Sequence, residues 1–275
     1  MEANDVLFDI KKTGGLLVKS EEKQYNNIYY CTNEDLAALV KRFDVSGKDI
    51  LSVLGSGDQA FYFYVNGAKS VDLFDINKLT IYYYYLRLWV IKYIGDYYPD
   101  IEFSTYIEDL LSIVKPESED EEFALLYWKM FISNYSVDSM KALFNFNNSS
   151  MNYNRMEDVS ELREKIQGKK PAFYNLDITE DVSRQVNKKY DVVYVSNIRN
   201  WINISGKSWE QYRNSLYYLL GDKGVILCSN VVSEGPYEKE DIIFRRNFIF
   251  KNLGREDTYA LFKLSRPGYT YVKRR

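Results

Sequence analysis

Short apolar runs and helical apolar spacings alternate in the first third of the chain. An apolar run at residues 50–54 precedes the spacing of a short helix at 58–66, and a second run at 71–74 precedes a longer helix at 78–94. Alternation of buried strands with helices is typical of βα units, whose crossovers are right-handed. The pattern therefore predicts adjacent parallel strands.

The same alternation resumes near residue 171 and predicts the second half of the core. Strands are predicted at 171–176, 191–195 and 225–229, helices at 179–188 and 208–220, and a turn at 222–224. The last elements predicted are a helix at 241–246 and a hairpin that pairs 247–251 with 258–264 across Gly254. Together these elements predict about five parallel strands followed by an antiparallel pair.

The segments outside this alternation are predicted to be mainly helical. Residues 1–45 form an N-terminal helical segment that packs on the core, with a helix at 33–43 capped by Thr32 or Asn33. Residues 97–170 contain apolar helical pieces separated by the acidic sequence KPESEDEE. We interpret 97–170 as a helical insertion, either a surface elaboration or a cap over a binding site. The predicted core then comprises 46–96 and 171–275.

A glycine loop follows the first predicted strand. Gly55-Ser56-Gly57 comes directly after the apolar run, and Asp75 follows Gly57 by 18 positions. Glycines allow a tight turn that brings backbone N–H groups and a helix N-terminus close to a ligand. An acidic residue about 20 positions further on accepts hydrogen bonds from a ribose in dinucleotide-type sites. The pattern predicts a nucleotide-type cosubstrate, although the same glycines also suit a plain strand-to-helix turn.

Composition limits the classes of protein to consider. The 275 residues are 46% apolar and carry a net charge of −3 without a long basic block. This fits one large α/β domain, and we predict no nucleic-acid partner. Cys31 and Cys228 lack metal-ligand spacing, so we predict free thiols, no metal site and a cytoplasmic location. No apolar run is long enough to span a membrane, which leaves peripheral membrane contact open, and composition does not predict the oligomeric state.

The chain contains no histidine. This excludes Ser-His-Asp and Cys-His catalysis and imidazole metal sites. Any catalysis must use carboxylates, tyrosines, lysines, backbone donors or a reactive cosubstrate. Four consecutive tyrosines at 82–85 suggest an aromatic box for a cation. Consecutive residues point in different directions around a helix, however, so packing is the favoured role.

The order of these motifs resembles the class I S-adenosylmethionine-dependent methyltransferase fold. GSG follows the first strand, Asp75 the second, Asp177 the third and Ser196-Asn197 the fourth. The segments NEDLAALV, SVLGSGDQAF and GAKSVDLFDINKLTIYYYYL are similar to the betaine-lipid-synthase-like family, whose best-known activity transfers the 3-amino-3-carboxypropyl group to diacylglycerol. The resemblance implies an α/β, Rossmann-like fold with a mostly parallel seven-stranded sheet, a terminal antiparallel hairpin and a helical insertion.

The resemblance also implies a cosubstrate and a site. S-adenosylmethionine would contact the glycine loop, Asp75 would accept from its ribose hydroxyls, and Asp177 would accept from its adenine amino group. Ser196 and Asn197 would face the reacting centre as catalytic residues. The implied cosubstrate-binding residues are Tyr30, Thr32, Gly55, Ser56, Gly57, Asp58, Asp75, Ile76, Asp177 and Ile178.

Departures from the family pattern keep several functions open. Val53 and Gln59 stand where the general methyltransferase pattern has an acid and a third glycine. We predict transfer to a small-molecule or lipid acceptor, with methyl transfer ahead because it is the commoner chemistry on this fold. Aminocarboxypropyl transfer is the alternative that the local resemblance favours. A strand, a glycine loop and an acid also describe a nicotinamide-dependent oxidoreductase, and a non-catalytic ligand-binding domain is the third alternative.

Overall fold

The computed structural model describes residues 3–18, 28–32, 34, 36–100, 104–135, 137–145, 159–180, 182–196, 198, 209–228, 242–250 and 255–262. The chain divides into two compact units. We call Met1–Asn33, Leu54–Phe61 and Asn77–Gln167 the helical unit, and Glu34–Val53, Tyr62–Ile76 and Gly168–Arg275 the sheet unit. These two units do not coincide with the predicted domains 1–45, 46–96 with 171–275, and 97–170, which stay a prediction.

The described residues form both α-helices and β-strands. The α-helices are α1 Ala3–Val18, α2 Leu36–Arg42, α3 Asp58–Val65, α4 Leu79–Trp89, α5 Ser104–Ile113, α6 Glu119–Tyr135, α7 Ser160–Ile166 and α8 Trp209–Leu219. The strands are β1 Ile28–Tyr29, β2 Asp49–Val53, β3 Ser70–Asp75, β4 Phe144–Asn145, β5 Phe173–Asn175, β6 Tyr190–Ser196, β7 Leu220–Cys228, β8 Ile242–Phe250 and β9 Arg255–Phe262. A π-helix, Val90–Ile94, continues α4. Among the helices described, none has the length and apolar character needed to cross a membrane.

The sheet unit contains seven hydrogen-bonded strands in the order β5-β3-β2-β6-β7-β9-β8. The neighbours from β5 to β7 are parallel, whereas β9 runs antiparallel to both β7 and β8. From β2 the chain moves outward through β3 to β5, then returns to β6 and moves the other way to β7. The strand order therefore reverses between β2 and β6, and such a switch point is where ligands bind in open α/β sheets. The predicted α/β fold with a terminal antiparallel hairpin is confirmed.

A hydrophobic cluster holds the sheet unit together. Leu51 of β2 and Phe74 of β3 belong to it, and both are at most 2% exposed. Tyr212, Leu216 and Leu219 of α8 join the same cluster. Their spacing places them on one face of the helix, as the sequence pattern predicts. Burial of this face explains why α8 forms where it does.

Aromatic side chains join α1, α4 and α6 within the helical unit. The Tyr82 hydroxyl donates to Asp9 Oδ2 (2.7 Å), and Trp128 Nε1 donates to the Tyr82 carbonyl (2.8 Å). The rings of Tyr82 and Tyr127 stack with centroids 4.2 Å apart. All four tyrosines at positions 82–85 are at most 6% exposed, so their predicted packing role is confirmed.

The helix predicted at 179–188 is wrong. In the described part of this segment, 179–180 and 182–188, the helical structure is limited to a 3-10 turn, Val182–Arg184. Asp177 Oδ1 accepts a hydrogen bond from the Thr179 N–H (2.9 Å) at the start of the segment. Val182 and Val186 then bury their side chains in the hydrophobic cluster. Tertiary packing of these two apolar residues has replaced a longer helix.

One helix predicted near the C-terminus is also wrong, and a predicted turn falls within a strand. The helix predicted at 241–246 falls in β8, whose residues from Ile242 onward pair with β9. The turn predicted at 222–224 falls inside β7, where the pairing with β6 shifts register between Tyr190↔Leu220 and Val192↔Val225. The local helical signal at 241–246 is overridden by pairing with β9, which a single segment does not reveal. The predicted turn at 222–224 coincides with the irregularity between the paired positions Leu220 and Val225.

Candidate functional site

The glycine loop adopts backbone conformations that favour glycine. Gly55 has φ +50° and Gly57 has φ +87°. The Gly57 N–H donates to the Leu54 carbonyl at 2.7 Å, which closes a tight turn directly after β2. A side chain at either position would be strained, because L-residues rarely adopt positive φ.

The two glycines differ in their surroundings. A Cβ atom at Gly57 would lie 3.2 Å from Cδ2 of Tyr84. At Gly55 the nearest atom to such a Cβ would be Nε2 of Gln59, at 3.7 Å. Gly57 is thus required for packing within the helical unit. The backbone at Gly55 retains space that a ligand can approach.

The carboxylate of Asp58, at the start of α3, organises this loop. Its Oδ2 accepts hydrogen bonds from the Thr32 N–H (2.8 Å) and the Ser56 hydroxyl (2.7 Å). Its Oδ1 accepts from the Tyr98 hydroxyl (3.0 Å) and lies 2.8 Å from Arg87 Nη1. Asp58 is 0% exposed and both of its oxygens are engaged by the protein, which shows that it supports the loop. Its direct contact with cosubstrate stays a prediction.

Arg87 of α4 is the buried cation that balances Asp58. Besides this ion pair, Arg87 Nη1 donates to the Ser56 carbonyl (2.8 Å) and Nη2 donates to the Tyr97 carbonyl (3.2 Å). Burial by itself would lower the pKa of Arg87, but Asp58 and the neighbouring tyrosines raise it, and the net direction is upward. The guanidinium lies 4.4 to 4.9 Å from the ring centroids of Phe61, Tyr97 and Tyr98.

Two further predicted binding residues belong to the same buried network. Tyr30 is 5% exposed; its hydroxyl donates to the Pro99 carbonyl (2.6 Å), and its ring stacks on Tyr98 at 5.3 Å. Thr32 is 6% exposed. Burial raises the pKa of Tyr30, which keeps its hydroxyl protonated. Tyr30 thus contacts Tyr98, and Thr32 contacts Asp58, through which both residues help to hold the glycine loop.

The carboxyl end of β3 carries Asp75 and Ile76. Asp75 is the last residue of β3 and pairs with Asn175 of β5. Asn175 Nδ2 donates to the carbonyls of Asp75 (2.9 Å) and Ile76 (3.0 Å), which fixes the backbone at this point. The Ile76 side chain is 66% exposed. A partly buried carboxylate thus stands beside an exposed apolar side chain at the strand end.

Asp177 and Ile178 follow β5 and have different surroundings. Asp177 Oδ1 accepts from both the N–H (2.9 Å) and the hydroxyl (2.5 Å) of Thr179, so this residue caps the turn that follows. Ile178 is 3% exposed and belongs to the hydrophobic cluster of the sheet unit. Ile178 therefore has a packing role, and its contact with cosubstrate stays a prediction.

The carboxyl end of β6 contains a strained residue. Ser196 has φ +48°, the one positive φ outside glycine in the part of the chain that the structure describes. Its hydroxyl donates to Oε1 of Glu34, and the Tyr194 hydroxyl donates to Oε2 of the same carboxylate. Glu34 is 2% exposed. Asn197, the other predicted catalytic residue, lies outside the described residues.

Sequence reasoning missed Glu34 and Arg87 as parts of these arrangements. Glu34 lies within NEDLAALV but carries no spacing that links it to Ser196, 162 positions away. Arg87 is a charged residue within an otherwise apolar, buried helix. A charge at a position predicted to be buried indicates a buried partner, and this is the signal that would have found Arg87. No group of three or more Cys, Asp or Glu side chains within the described ranges is arranged to hold a metal ion.

Comparison with known proteins gives structural likeness alone. No family model and no curated protein matches the sequence. Solved structures similar to this chain include the rRNA methyltransferase aviRa from Streptomyces viridochromogenes, with 11% identity, a TM-score of 0.43, and coverage of 90% of this chain and 89% of that one. The ribosomal protein L11 methylase from Lactobacillus delbrueckii subsp. bulgaricus is 13% identical with a TM-score of 0.37, covering 85% and 80%. The glycopeptide N-methyltransferase MtfA, in complex with S-adenosyl-L-homocysteine, is 12% identical with a TM-score of 0.36, covering 92% and 72%. At these TM-scores the likeness decides neither the chemistry nor the acceptor of this chain.

Proposed function

We propose that this chain is an S-adenosylmethionine-dependent transferase. The observation that carries the proposal is the pairing of β2 and β3 up to Val53↔Phe74, with the glycine loop directly after one strand and Asp75 at the end of the other. Parallel strands place their carboxyl ends at one edge, where open α/β sheets bind ligands. The motif resemblance described above supports S-adenosylmethionine as that ligand.

Three local features fit this cosubstrate. The backbone at Gly55 has room for close approach, since an added Cβ would meet nothing nearer than 3.7 Å. The Asp75 carboxylate is of the type that accepts from ribose hydroxyls. The exposed Ile76 side chain beside it offers an apolar surface for a purine ring, and Asp177 remains the proposed acceptor for the adenine amino group.

The residues of the chain would bind and orient, while the cosubstrate, when bound, supplies an activated carbon on its sulfonium. Asp58 and Arg87 hold the loop so that its backbone is in place before binding. Ser196 and Asn197 are the proposed residues that face the acceptor. Positioning the acceptor in line and excluding water are the main tasks left to the protein, so the absence of histidine is no obstacle.

The group transferred and the acceptor are further parts of the proposal. We place methyl transfer first because it is the commoner chemistry on this fold, and aminocarboxypropyl transfer second because GSGDQ and FDIN resemble the betaine-lipid-synthase-like family. A small molecule or a lipid is the proposed acceptor. Nucleic acid belongs in the acceptor panel as well, since one of the similar solved structures is an rRNA methyltransferase by its name.

Calorimetric titration tests the cosubstrate. The protein should bind S-adenosylmethionine and S-adenosylhomocysteine, and NADH should produce no saturable change in fluorescence. Asp75→Asn should weaken binding about tenfold to a hundredfold, the usual cost of a lost hydrogen bond to a charged group. Asp44→Asn, an exposed carboxylate that accepts from the Ser46 N–H, is the matched control and should bind normally. Failure of wild-type protein to bind either compound would reject the proposal.

Product analysis distinguishes the remaining alternatives. Incubation with S-adenosylmethionine and a panel of diacylglycerol vesicles, small amines and acids, and RNA should release S-adenosylhomocysteine if methyl is transferred. Release of methylthioadenosine would instead establish aminocarboxypropyl transfer. Binding without either product across the panel would favour the non-catalytic ligand-binding domain.

A further inference from the structure

The N-terminal helix α1 has one face that packs within the helical unit. Val6, Ile10 and Thr13 are at most 5% exposed. The Thr13 hydroxyl lies 3.0 Å from the Tyr127 hydroxyl of α6, and the Tyr135 hydroxyl donates to the Ile10 carbonyl (3.2 Å). Their spacing places the three buried residues on one side of the helix. This side of α1 therefore has its partner within the same unit.

The other side of α1 carries two large apolar side chains that are exposed to water. Phe8 is 67% exposed and Leu7 is 45% exposed. One exposed apolar residue is ordinary on a protein surface, but these two are adjacent and both point away from the buried side. With Val6 and Ile10 buried on the first side, the start of the helix is apolar on both sides. That pattern is typical of a helix whose second face is covered as well.

Two lysines on the exposed side indicate what covers it. Lys11 and Lys12 follow the two exposed apolar residues by four positions each, one turn further along the helix, and both are exposed. Lysine side chains lay their methylenes along apolar surface and extend the ammonium beyond it. Over residues 5–14 the other exposed charge is Asp5, so this side is net positive in a chain whose net charge is −3. A partner with both apolar and anionic groups fits it.

We propose that the exposed face of α1 docks on an anionic lipid surface. The face consists of Leu7, Phe8, Lys11 and Lys12. Its apolar side chains enter the boundary between head groups and acyl chains, and its ammonium groups meet the lipid phosphates, as in helices that lie in the plane of the membrane interface. A second copy of the face would set lysines against lysines, so charge complementarity favours lipid over self-association. The inference depends on α1 and is independent of the proposed cosubstrate.

Co-sedimentation of the full chain with vesicles tests this inference. The protein should bind vesicles of equal parts phosphatidylcholine and phosphatidylserine, and it should bind less to phosphatidylcholine alone and at high salt, which screens the lysines. Lys11→Gln/Lys12→Gln should lower binding to the anionic vesicles about tenfold to thirtyfold, the effect of two lysines near such a surface. Phe8→Ser should lower it about tenfold, because its ring no longer leaves water.

Matched controls remove the same kinds of side chain elsewhere. Ile113→Ser changes an apolar residue of α5 that is 50% exposed, and Lys165→Gln/Lys170→Gln changes two exposed lysines. Both should bind anionic vesicles as wild type does. The α1 variants should keep the circular dichroism and thermal transition of wild type, since the changed side chains are exposed, so that lost binding is not lost folding.

Several outcomes would overturn the inference. They are failure of wild type to bind the anionic vesicles, equal binding to both kinds of vesicle, and equal binding by the α1 variants and their controls. Sedimentation equilibrium supplies a further one: a dimer that Phe8→Ser dissociates would assign the face to a second copy of the chain. Each of these results leaves the proposed function untouched, because cosubstrate binding is measured separately.

Discussion

Asp58 and Arg87 form an ion pair of 2.8 Å in which neither side chain is exposed to solvent. The pair joins the start of α3 to α4 within the helical unit. It also holds the glycine loop, since Ser56 donates to Asp58 through its hydroxyl and accepts from Arg87 through its carbonyl. The loop conformation thus depends on a charge pair 29 positions apart in the sequence.

Breaking this buried pair should be far more costly than breaking an exposed one. Asp58→Asn leaves the Arg87 guanidinium buried without its counter-charge, and such changes typically destabilise by about 3–5 kcal/mol. Lys92 and Glu117 form an ion pair whose side chains are 37% and 63% exposed, so Glu117→Gln should cost at most about 1 kcal/mol. Urea unfolding measures both. The double variant Asp58→Asn/Arg87→Met should recover part of the loss, and equal effects of the two single variants would contradict this account.

Alanine substitutions should distinguish the glycines of the loop from an ordinary turn glycine. Gly47 has φ +69° with no atom within 4 Å of an added Cβ, so Gly47→Ala should cost about 1–2 kcal/mol from backbone strain alone. Gly57→Ala should cost more, because its Cβ would lie 3.2 Å from Tyr84. Thermal or urea unfolding gives the comparison.

Gly55→Ala provides the matching functional experiment. Its stability cost should equal that of Gly47→Ala, since an added Cβ meets nothing nearer than 3.7 Å. Its affinity for S-adenosylmethionine should nevertheless fall, whereas Gly47→Ala should bind normally. Unchanged affinity in the Gly55 variant would show that the ligand does not approach this backbone.

Two substitutions of Ser196 should reveal its backbone strain. The sign of the difference between their free energies of unfolding carries the information. Ser196→Ala and Ser196→Gly both remove the hydroxyl that Glu34 accepts, but only glycine relieves the positive φ. The glycine variant should be more stable than the alanine variant by about 0.5–1 kcal/mol, after the greater entropy of unfolded glycine is counted. In unstrained backbone the alanine variant would be the more stable of the two. Urea unfolding of the pair settles the sign.

Buried tyrosines should make the protein lose stability at alkaline pH. Burial raises the pKa of Tyr106 to about 12, and it raises the pKa values of Tyr30 and Tyr64 as well. Unfolded tyrosines ionise near pH 10, so their stabilising contribution is complete below about pH 10 and is lost as pH rises through the folded-state values. Each tyrosine that ionises only on unfolding contributes a slope of about −1.4 kcal/mol per pH unit.

Absorbance of tyrosinate and circular dichroism, followed together from neutral to alkaline pH, measure this effect. Exposed tyrosines should ionise near pH 10 while the dichroism is unchanged. The buried tyrosines should ionise only together with loss of the folded signal. Full ionisation of all 26 tyrosines in a protein that remains folded would contradict the raised pKa values.

Local patterns predicted the elements whose conformation is encoded in short segments. Apolar runs located β2 and β3, because strands buried on both faces read as continuous apolar sequence. Gly55 and Gly57 indicated positive φ correctly, since glycine is the residue that tolerates it. Predictions failed at 179–188 and 241–246, where packing of Val182 and Val186 or pairing with β9 outweighed local preference.

The sequence alone thus determined the α/β fold, the tight turn after β2 and the carboxylate at the end of β3, because each depends on residues close together in the chain. Only the tertiary structure decided that Asp58 pairs with Arg87 and that Glu34 holds Ser196. The physical reason is that the energies of buried charges depend on which distant groups surround them, and chain spacing carries no record of those groups. The support of the glycine loop and the hydrogen bonds between Glu34 and the end of β6 are properties of that long-range arrangement.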